Sequence, residues 1–170
     1  MTDQFHIRPA RAEDIIAIQE IYALEVLHGT ASFETEAPNV DEMTRRWQNA
    51  VDGGFPYLVA LSENRIAGYA YAGKYRTRPA YRFSVEDSVY VAQWARRKGL
   101  ARQLLLKLID ECKQRGFKQI IAIIGDSTHT ASIELHKSLG FRLVGTLENV
   151  GWKHKRWLDS VLMQLSLGSG

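Results

Sequence analysis

A short basic segment, residues 96–102, carries the clearest chemical signal in the chain; it reads Arg-Arg-Lys-Gly-Leu-Ala-Arg. It follows a strand-like run at residues 88–91 and opens an amphipathic helical run at residues 100–115. The free N–H groups and the positive dipole end of a helix N-terminus attract anions, and neighbouring arginines add charge-assisted hydrogen bonds to phosphate. The segment therefore predicts a site for a phosphorylated ligand.

Two other residues have side chains that could move protons beside such a site. Glu86 lies on the strand-like run, residues 83–91, that leads into the basic segment. Burial there would raise its pKa toward the neutral range, where a carboxylate can act as a base. His136 lies on a short helical run. From the residues alone, Glu86 could equally be a strand-face glutamate in a salt bridge, and a lone histidine on a helix is more often structural than catalytic.

Length and composition limit the class of protein. A chain of 170 residues predicts a single domain, here residues 1–167, with residues 168–170 as a frayed end. The single cysteine, Cys112, excludes an internal disulfide and favours a reducing cytoplasm. It falls in helical phase with Leu104, Leu105 and Leu108, which predicts a core position. No apolar run reaches the ~20 residues of a membrane span, and no signal peptide is expected.

The elements that must position these residues follow from hydrophobic periodicity and turn residues. Strands are predicted at residues 4–8, 57–61, 66–72, 83–91, 119–124, 142–148 and 157–165, and helices at 12–27, 40–51, 100–115 and 130–139. Residues 119–124 are almost all apolar, which is typical of a buried central strand. This order predicts a mixed sheet with helices on both faces.

Several segments resemble a known family. Arg96-x-x-Gly99-x-Ala101 after a strand looks like the pyrophosphate loop of the GCN5-related N-acetyltransferases, and residues 131–141 resemble their second signature helix, which ends in Leu-Gly-Phe. Five further segments narrow the similarity to the phosphinothricin acetyltransferase group, which includes enzymes that act on methionine sulfoximine and methionine sulfone. They are residues 31–36 (ASFETE), 70–72 (AYA), 78–81 (RPAY), 85–91 (VEDSVYV) and 151–154 (GWKH).

The resemblance, which runs from residue 7 to residue 165, implies an α/β (α+β mixed) fold. Its central sheet is twisted and largely antiparallel, with about seven strands flanked by about four helices. It also implies acetyl-CoA as co-substrate, direct transfer to the amine of a small amino-acid-like substrate, and a homodimer. Glu86 would be the general base, directly or through a water, and His136 the acid toward the thiolate. No metal, nucleic acid or membrane is expected to take part.

The resemblance also assigns binding residues. For the donor they are Val89, Tyr90, Val91, Arg96, Arg97, Lys98, Gly99, Leu100, Ala101, Arg102, His129 and Ser132. For the acceptor they are Phe33, Arg76, Thr77, Arg78, Glu86, Asp87 and Ser88. Main-chain groups of the first three donor residues would hold the pantetheine amide as a strand would, and Arg76 and Arg78 suit a carboxylate or phosphinate.

Two positions depart from the wider superfamily. His129 stands where Asn is frequent, which changes the geometry toward the pantetheine arm. His136 stands where Tyr is frequent, although His is usual in the phosphinothricin group. Ala101 replaces the third loop glycine, which the family tolerates.

Alternative functions remain open at this stage. Within the same fold the acceptor could be a protein N-terminus or a polyamine, and a non-catalytic acyl-CoA sensor would keep the donor site alone. Three basic clusters would suit nucleic acid, but the chain has no nucleic-acid motif. Residues 68–75 fail the phosphate-loop pattern at Tyr75, and the scattered histidines argue against zinc. The aromatic and basic residues between Trp152 and Trp157 are expected to close the pocket or to contact a second subunit.

Overall fold

The computed structural model describes residues 4–168, in which seven strands form one sheet and four α-helices cover it. The elements are β1 His6–Pro9, α1 Ile15–His28, α2 Val40–Asp52, β2 Tyr57–Ser62, β3 Arg65–Lys74, β4 Ser84–Val91, α3 Leu100–Gln114, β5 Gln119–Gly125, α4 Thr130–Ser138, β6 Arg142–Lys153 and β7 Arg156–Ser166. The strand order is β1-β2-β3-β4-β5-β7-β6, and only β4 and β5 run parallel. The predicted fold class is confirmed.

The helix boundaries have local causes. Asn39 caps α2, because its side chain accepts a hydrogen bond from the Glu42 N–H at 2.9 Å. Helix α3 is enclosed by two left-handed glycines, with Gly99 at φ +74° before its first residue and Gly116 at φ +83° after its last turn. These turns set the direction in which β4 enters α3 and α3 leaves toward β5.

Alternation along the strands separates two cores. On one face, α3 packs Leu104, Leu105, Leu108 and Cys112 against the sheet, so the predicted core position of the cysteine is confirmed. On the other face, α1 and α2 cover tyrosines of β2, β3 and β4 whose rings stack on one another: Tyr57, Tyr69, Tyr71 and Tyr90. Successive residues of β4 therefore point toward different helical layers.

The last two strands are longer than the sequence indicates. The prediction ended β6 at residue 148, whereas the strand continues to Lys153 through register shifts, one of them beside Asn149, which has φ +56°. His154 and Lys155, both left-handed, then turn the chain into β7 and pair Trp152 with Trp157. Residues 169 and 170 of the expected frayed end lie outside the described residues.

Candidate active site

The turn into α3 presents main-chain donors. The first backbone hydrogen bond of the helix runs from the Gln103 N–H to the Gly99 oxygen at 3.2 Å, so the N–H groups of residues 100–102 have no acceptor inside the helix. Gly99 reaches this position with φ +74°, and Arg97 with φ +62°. The left-handed backbone favours glycine at 99. Lack of space is not the reason, because a Cβ there would meet no atom of the chain within 4 Å. The arrangement is a cradle for an anion.

A cleft opens beside this cradle because β4 and β5 diverge. They pair only between residues 84–86 and 119–121, although both strands continue for several residues. Ala92 donates to the Ala67 oxygen at 2.8 Å, and strand alternation therefore turns the main-chain groups of Val89 and Val91 away from β3 and toward the gap. Tyr90 uses its main-chain groups within the ladder. Apart from the Val91 carbonyl oxygen, which accepts from Arg96 Nε at 3.3 Å, these groups lie outside the ladder and can bind an extended amide ligand.

The gap holds two adjoining cavities. The larger, about 710 Å³, is lined by eleven of the twelve predicted donor residues, namely Val89, Tyr90, Val91, Arg96, Arg97, Gly99, Leu100, Ala101, Arg102, His129 and Ser132. Lys98 lies on the same turn and is exposed. The smaller, about 70 Å³, extends between the strands to Asp87 and His136. The predicted donor residues are thus close together around one cleft.

Glu86 faces the tyrosine side of the sheet, away from α3 and α4. Burial and the neighbouring charge of Asp87 raise the pKa of Glu86 to about 7. Ser88 shares this face and lies within hydrogen-bonding range of Tyr71. A carboxylate with this pKa is half ionised near neutral pH and can accept a proton there.

His136 is held from both ring nitrogens. Its Nδ1 lies 2.8 Å from the Ser132 carbonyl oxygen, so this nitrogen donates, and its Nε2 lies 2.8 Å from Asp87 Oδ2. Burial lowers the pKa of His136, but the hydrogen bond and charge of Asp87 outweigh it and raise the pKa above its usual value. His136 is 3% exposed and Asp87 7%. The two side chains form a buried, hydrogen-bonded pair beside the smaller cavity, in which Asp87 favours the protonated form of the imidazole.

The position of Asp87 differs from what the acceptor assignment requires. Sequence analysis grouped Asp87 with Glu86 and Ser88, whereas the structure puts it on the opposite face of β4, bonded to His136. Adjacent residues of a strand point to opposite faces, which the sequence pattern already contained. Only one carboxylate of the pair therefore faces the tyrosine side.

The other predicted acceptor residues are spread over two loops. Phe33 lies between α1 and α2, with its ring against Gly125 and Gly151; a Cβ on these glycines would come within 2.3 and 2.6 Å of the ring. Arg76, Thr77 and Arg78 lie on the exposed β3–β4 loop, ahead of a 3₁₀ turn at Pro79–Tyr81. They do not line the two cavities of the cleft. The acceptor assignments are brought together less closely than the donor ones.

Two features of the described residues bear on alternative chemistry. Within residues 4–168, histidine, cysteine and carboxylate side chains form no group of three that could hold a metal ion. Among the helices of that same span, none combines the length and apolarity needed to cross a membrane.

Comparison with known proteins identifies the class. A family model described as an acetyltransferase (GNAT) domain matches residues 7–162. The protein is an N-acetyltransferase, as its fold, its cleft and its named relatives together indicate. The chain belongs to the GNAT family.

Individual relatives cover almost the whole chain. It is 49% identical to a phosphinothricin N-acetyltransferase of Alcaligenes faecalis, over 96% of this chain and 83% of the relative. It is 40% identical to an L-methionine sulfoximine/L-methionine sulfone acetyltransferase of Salmonella typhimurium, over 95% and 94%. A Sinorhizobium meliloti phosphinothricin acetyltransferase solved with acetyl-CoA superposes with a TM-score of 0.95 and 46% identity, covering 100% of this chain and 91% of that one.

Proposed function

We propose that this N-acetyltransferase moves an acetyl group from acetyl-CoA to the amine of a small amino-acid-like substrate, such as phosphinothricin, methionine sulfoximine or methionine sulfone. The observation that carries this proposal is the divergence of β4 from β5 directly beside the free N-terminus of α3. One feature suits an extended pantetheine arm and the other suits a diphosphate, and acetyl-CoA contains both.

The donor would be held largely by main-chain groups. The amides of residues 100–102 would bind the diphosphate, with Arg97 and Arg102 beside them, and Val89 and Val91 would pair with the pantetheine arm. A free N–H of β4 would also polarise the thioester oxygen. Arg102 is oriented by Ser138 Oγ, to which it donates at 2.7 Å.

Glu86 would act as the general base. The acceptor arrives as an ammonium ion, and its nitrogen can attack only after losing a proton. A carboxylate with a pKa of about 7 can take that proton, directly or through a water, at the pH of the reaction. The nitrogen then forms a bond to the carbonyl carbon and releases to solvent water the second proton that an amide cannot keep, while the carbon–sulfur bond breaks and coenzyme A leaves as a thiolate. No covalent enzyme intermediate is needed, because alignment of the two substrates supplies a large share of the acceleration.

His136 would supply the proton that the thiolate needs, and its ring would first have to give up the contact with Ser132 or Asp87, because both ring nitrogens are engaged in the structure. The carboxylate of Asp87 raises the pKa of His136 and so favours the charged imidazolium, the form that can donate a proton. Glu86 and His136 lie on opposite sides of β4, which separates the base from the acid. The nucleophile and the leaving group would likewise approach and depart on different sides of the sheet.

The acceptor would be recognised from the loops. Arg76 and Arg78 carry guanidinium groups that can bind a carboxylate or phosphinate in bidentate fashion, with Thr77 beside them. Phe33 would provide an apolar wall and Ser88 a polar contact. The names of the relatives support substrates that combine an amine, a carboxylate and a polar tail.

A thiol-release assay tests the proposal. Purified protein and acetyl-CoA are incubated with phosphinothricin, methionine sulfoximine, methionine sulfone, ordinary amino acids and N-terminal peptides. Release of coenzyme A should be fastest with one of the first three compounds. If no amine on the panel is acetylated while calorimetry still detects acetyl-CoA binding, the protein is the non-catalytic sensor instead.

A protein N-terminus is a second candidate acceptor. A Brucella melitensis structure named ribosomal-protein-alanine N-acetyltransferase superposes with a TM-score of 0.93 and 39% identity, covering 95% of this chain and 99% of that one. The β3–β4 loop is exposed, which would let a peptide reach Glu86. Faster thiol release with an alanyl peptide than with methionine sulfone would favour this acceptor.

A homodimer would protect the edge strand β6. Its side chains Leu143, Val144, Leu147, Val150 and Trp152 are each at least 50% exposed, and Trp157 of β7 adds to them. An unpaired apolar edge of this kind favours association with another strand. Light scattering should find a dimer that Leu147→Lys dissociates and Thr146→Lys, on the same strand, does not.

The cytoplasm is the compartment that we propose for the enzyme, because a chain with one cysteine forms no internal disulfide and suits a reducing environment. The free Cys112 is fully buried, and burial raises the pKa of its thiol to about 12, which keeps it unreactive. Labelling of the native protein with a thiol reagent should therefore be slow.

A further inference from the structure

The loop between α1 and α2 forms a wall shared by both substrates. Gly29, Thr30 and Ala31 line the larger cavity of the donor cleft, and Ala31 also lines the smaller one. Four residues further along the chain from Gly29, Phe33 packs against the ends of β5 and β6. A shift of this loop would therefore disturb the acyl end of the donor and the proposed wall of the acceptor site together.

Glu25, in the last turn of α1, connects this loop to the turn before α3, residues 96–99, which we call the phosphate turn. One carboxylate oxygen accepts the Ala31 N–H at 3.2 Å, and the other lies 3.6 Å from Arg96 Nη2. Arg96 is fixed from its other side, because its Nε donates to the Val91 oxygen at 3.3 Å. The Glu25 side chain is 17% exposed, so it is shielded from most of the solvent that would weaken these contacts.

Two neighbours support this position of the carboxylate. A Cβ on Gly29 would come within 2.0 Å of Glu25 Oε1, so only glycine leaves the carboxylate where it is. Lys153 holds Ser32, the residue after Ala31, because its Nζ donates to the Ser32 carbonyl oxygen at 2.6 Å. Burial lowers the pKa of Lys153, and the nearby charges of Glu25 and Glu34 only partly offset this. The loop is therefore fastened from α1 and from β6.

We propose that Glu25 is a positioning residue of the transfer reaction, which sets the α1–α2 loop against the donor cleft through Ala31 and Arg96 and thereby shapes the acceptor site. This inference rests on the proposed function. Glu25 touches neither the reacting carbon nor the amine in this scheme. Glu25 itself lines the larger cavity, but its carboxylate would not bind the donor, because a negative charge beside a diphosphate is repulsive.

The two contacts of Glu25 predict a divided kinetic effect. Loss of the Ala31 hydrogen bond loosens the loop and weakens acceptor binding. Loss of the charge frees Arg96 and removes a repulsion, and both changes favour the diphosphate; the gain in donor affinity should be small, because Arg96 is 55% exposed and lies 3.6 Å from the carboxylate. Glu25→Ala should therefore raise the KM for the amine about tenfold, while the Kd for acetyl-CoA stays within about threefold.

Three variants isolate the contacts. Glu25→Gln keeps an oxygen for Ala31 and should raise the acceptor KM by only about threefold. Gly29→Ala displaces the carboxylate without removing it, and should match Glu25→Ala. The double variant should be no worse than Glu25→Ala, since both changes break the same contacts. Glu20→Gln, an exposed glutamate on the same helix, is the matched control and should behave as the unaltered protein.

The measurements are amine KM, kcat, acetyl-CoA Kd by calorimetry, and hydrogen exchange of residues 29–36. Faster exchange in Glu25→Ala, with the KM pattern above, supports the inference. An acceptor KM within twofold of the unaltered enzyme, unchanged exchange, or a donor Kd that weakens as much as the acceptor KM overturns it. An unaltered chain that acetylates no amine overturns the proposed function instead, and the exchange data then still decide whether Glu25 orders the loop.

Discussion

The parts of this molecule that we propose for the donor and for the acceptor are built in different ways. The proposed donor cleft offers main-chain groups, namely the edge of β4 beyond its pairing with β5 and the free N-terminus of α3, and both are held by the sheet and a well-packed helix. The acceptor assignments are side chains on two loops, and Arg76 and Arg78 are exposed.

This difference bears on how specificity can change. A main-chain cradle depends on fold and on a few glycines, so it accepts the same coenzyme across many sequences. Side chains on loops can be replaced without loss of the sheet, so the acceptor can vary while the donor stays constant. Substitutions should therefore fall into three groups: those that lower kcat, those that weaken acetyl-CoA binding, and those that raise the KM for the amine.

The largest effect is expected at Glu86, between the two halves. Glu86→Gln removes the base and should lower kcat about a hundredfold or more, with the Kd for acetyl-CoA unchanged. In the unaltered enzyme kcat/KM should rise with pH and level off above pH 7, because the base must be ionised and its pKa is about 7. An active variant with the same pH profile would remove Glu86 from this role.

Donor binding should respond next, to a charge placed at the phosphate turn. Gly99→Glu strains a left-handed position and opposes the diphosphate, so calorimetry should show acetyl-CoA binding weakened about thirtyfold. Gly116→Glu is the matched control, because it has the same kind of strain at the other end of α3 with open space around it. Equal weakening by both variants would contradict the cradle.

A smaller effect on kcat is expected from removing the carboxylate that supports His136, the proposed acid on α4. Asp87→Asn removes the charge that offsets burial of His136, so the pKa of the histidine should fall and kcat at pH 7 should drop about twentyfold. Titration of the His136 ring signals by NMR measures the first change. The control is Asp126→Asn, which removes a buried carboxylate that pairs with Arg156 at 3.0 Å. It should leave the His136 titration unchanged.

Acceptor affinity should be affected without the donor by a change on the β3–β4 loop. Arg76→Ala should raise the KM for the amine about fivefold and leave that for acetyl-CoA unchanged, because one bidentate contact is lost at an exposed site. Arg82→Ala, a cation of the same loop whose guanidinium stacks on Phe83, provides the control. Equal effects of Arg76→Ala on both substrates would contradict the division into halves.

The smallest effect concerns stability. The pKa of Glu86 is about 7 in the fold and near 4.5 when unfolded, so the folded state loses relative stability as pH rises from 4.5 to 7. Glu86→Gln should therefore unfold at a higher temperature than the unaltered protein at pH 8, by about 2–4 °C, and at the same temperature at pH 4. An equal shift at both pH values would mean that packing, not ionisation, causes it.

The features that depend only on neighbouring residues in the chain could be predicted from the sequence. The apolar run of β5, the helical phase of Cys112 and the glycine before α3 predict structure from neighbouring residues, and each lies where expected. The opposite orientation of Glu86 and Asp87 was available from strand alternation. The basic turn at residues 96–102 could be singled out for the same reason, since it is one segment of chain, whereas the other donor assignments came from the family resemblance.

The remainder depends on contacts between distant residues. The contact of Lys153 with Ser32 spans 121 positions, and that of His136 with Asp87 spans 49. Neither pairing has a sequence signal, because each arises only when strands, loop and helix are packed together. The extension of β6 past residue 148 was missed because Asn149 and Gly151 indicate a turn, whereas here they form a bulge within a continuing ladder.

The seam between β4 and β5 has a mechanical consequence. Only three residue pairs join strands β1–β4 to strands β5–β7 within the sheet. The two parts are joined instead by one apolar core on the α3 side, which contains residues of both, among them Val85 and Ile120. A coenzyme A molecule lying in the gap would extend the sheet across it, so that release of the product would remove main-chain hydrogen bonds that the protein alone does not make there.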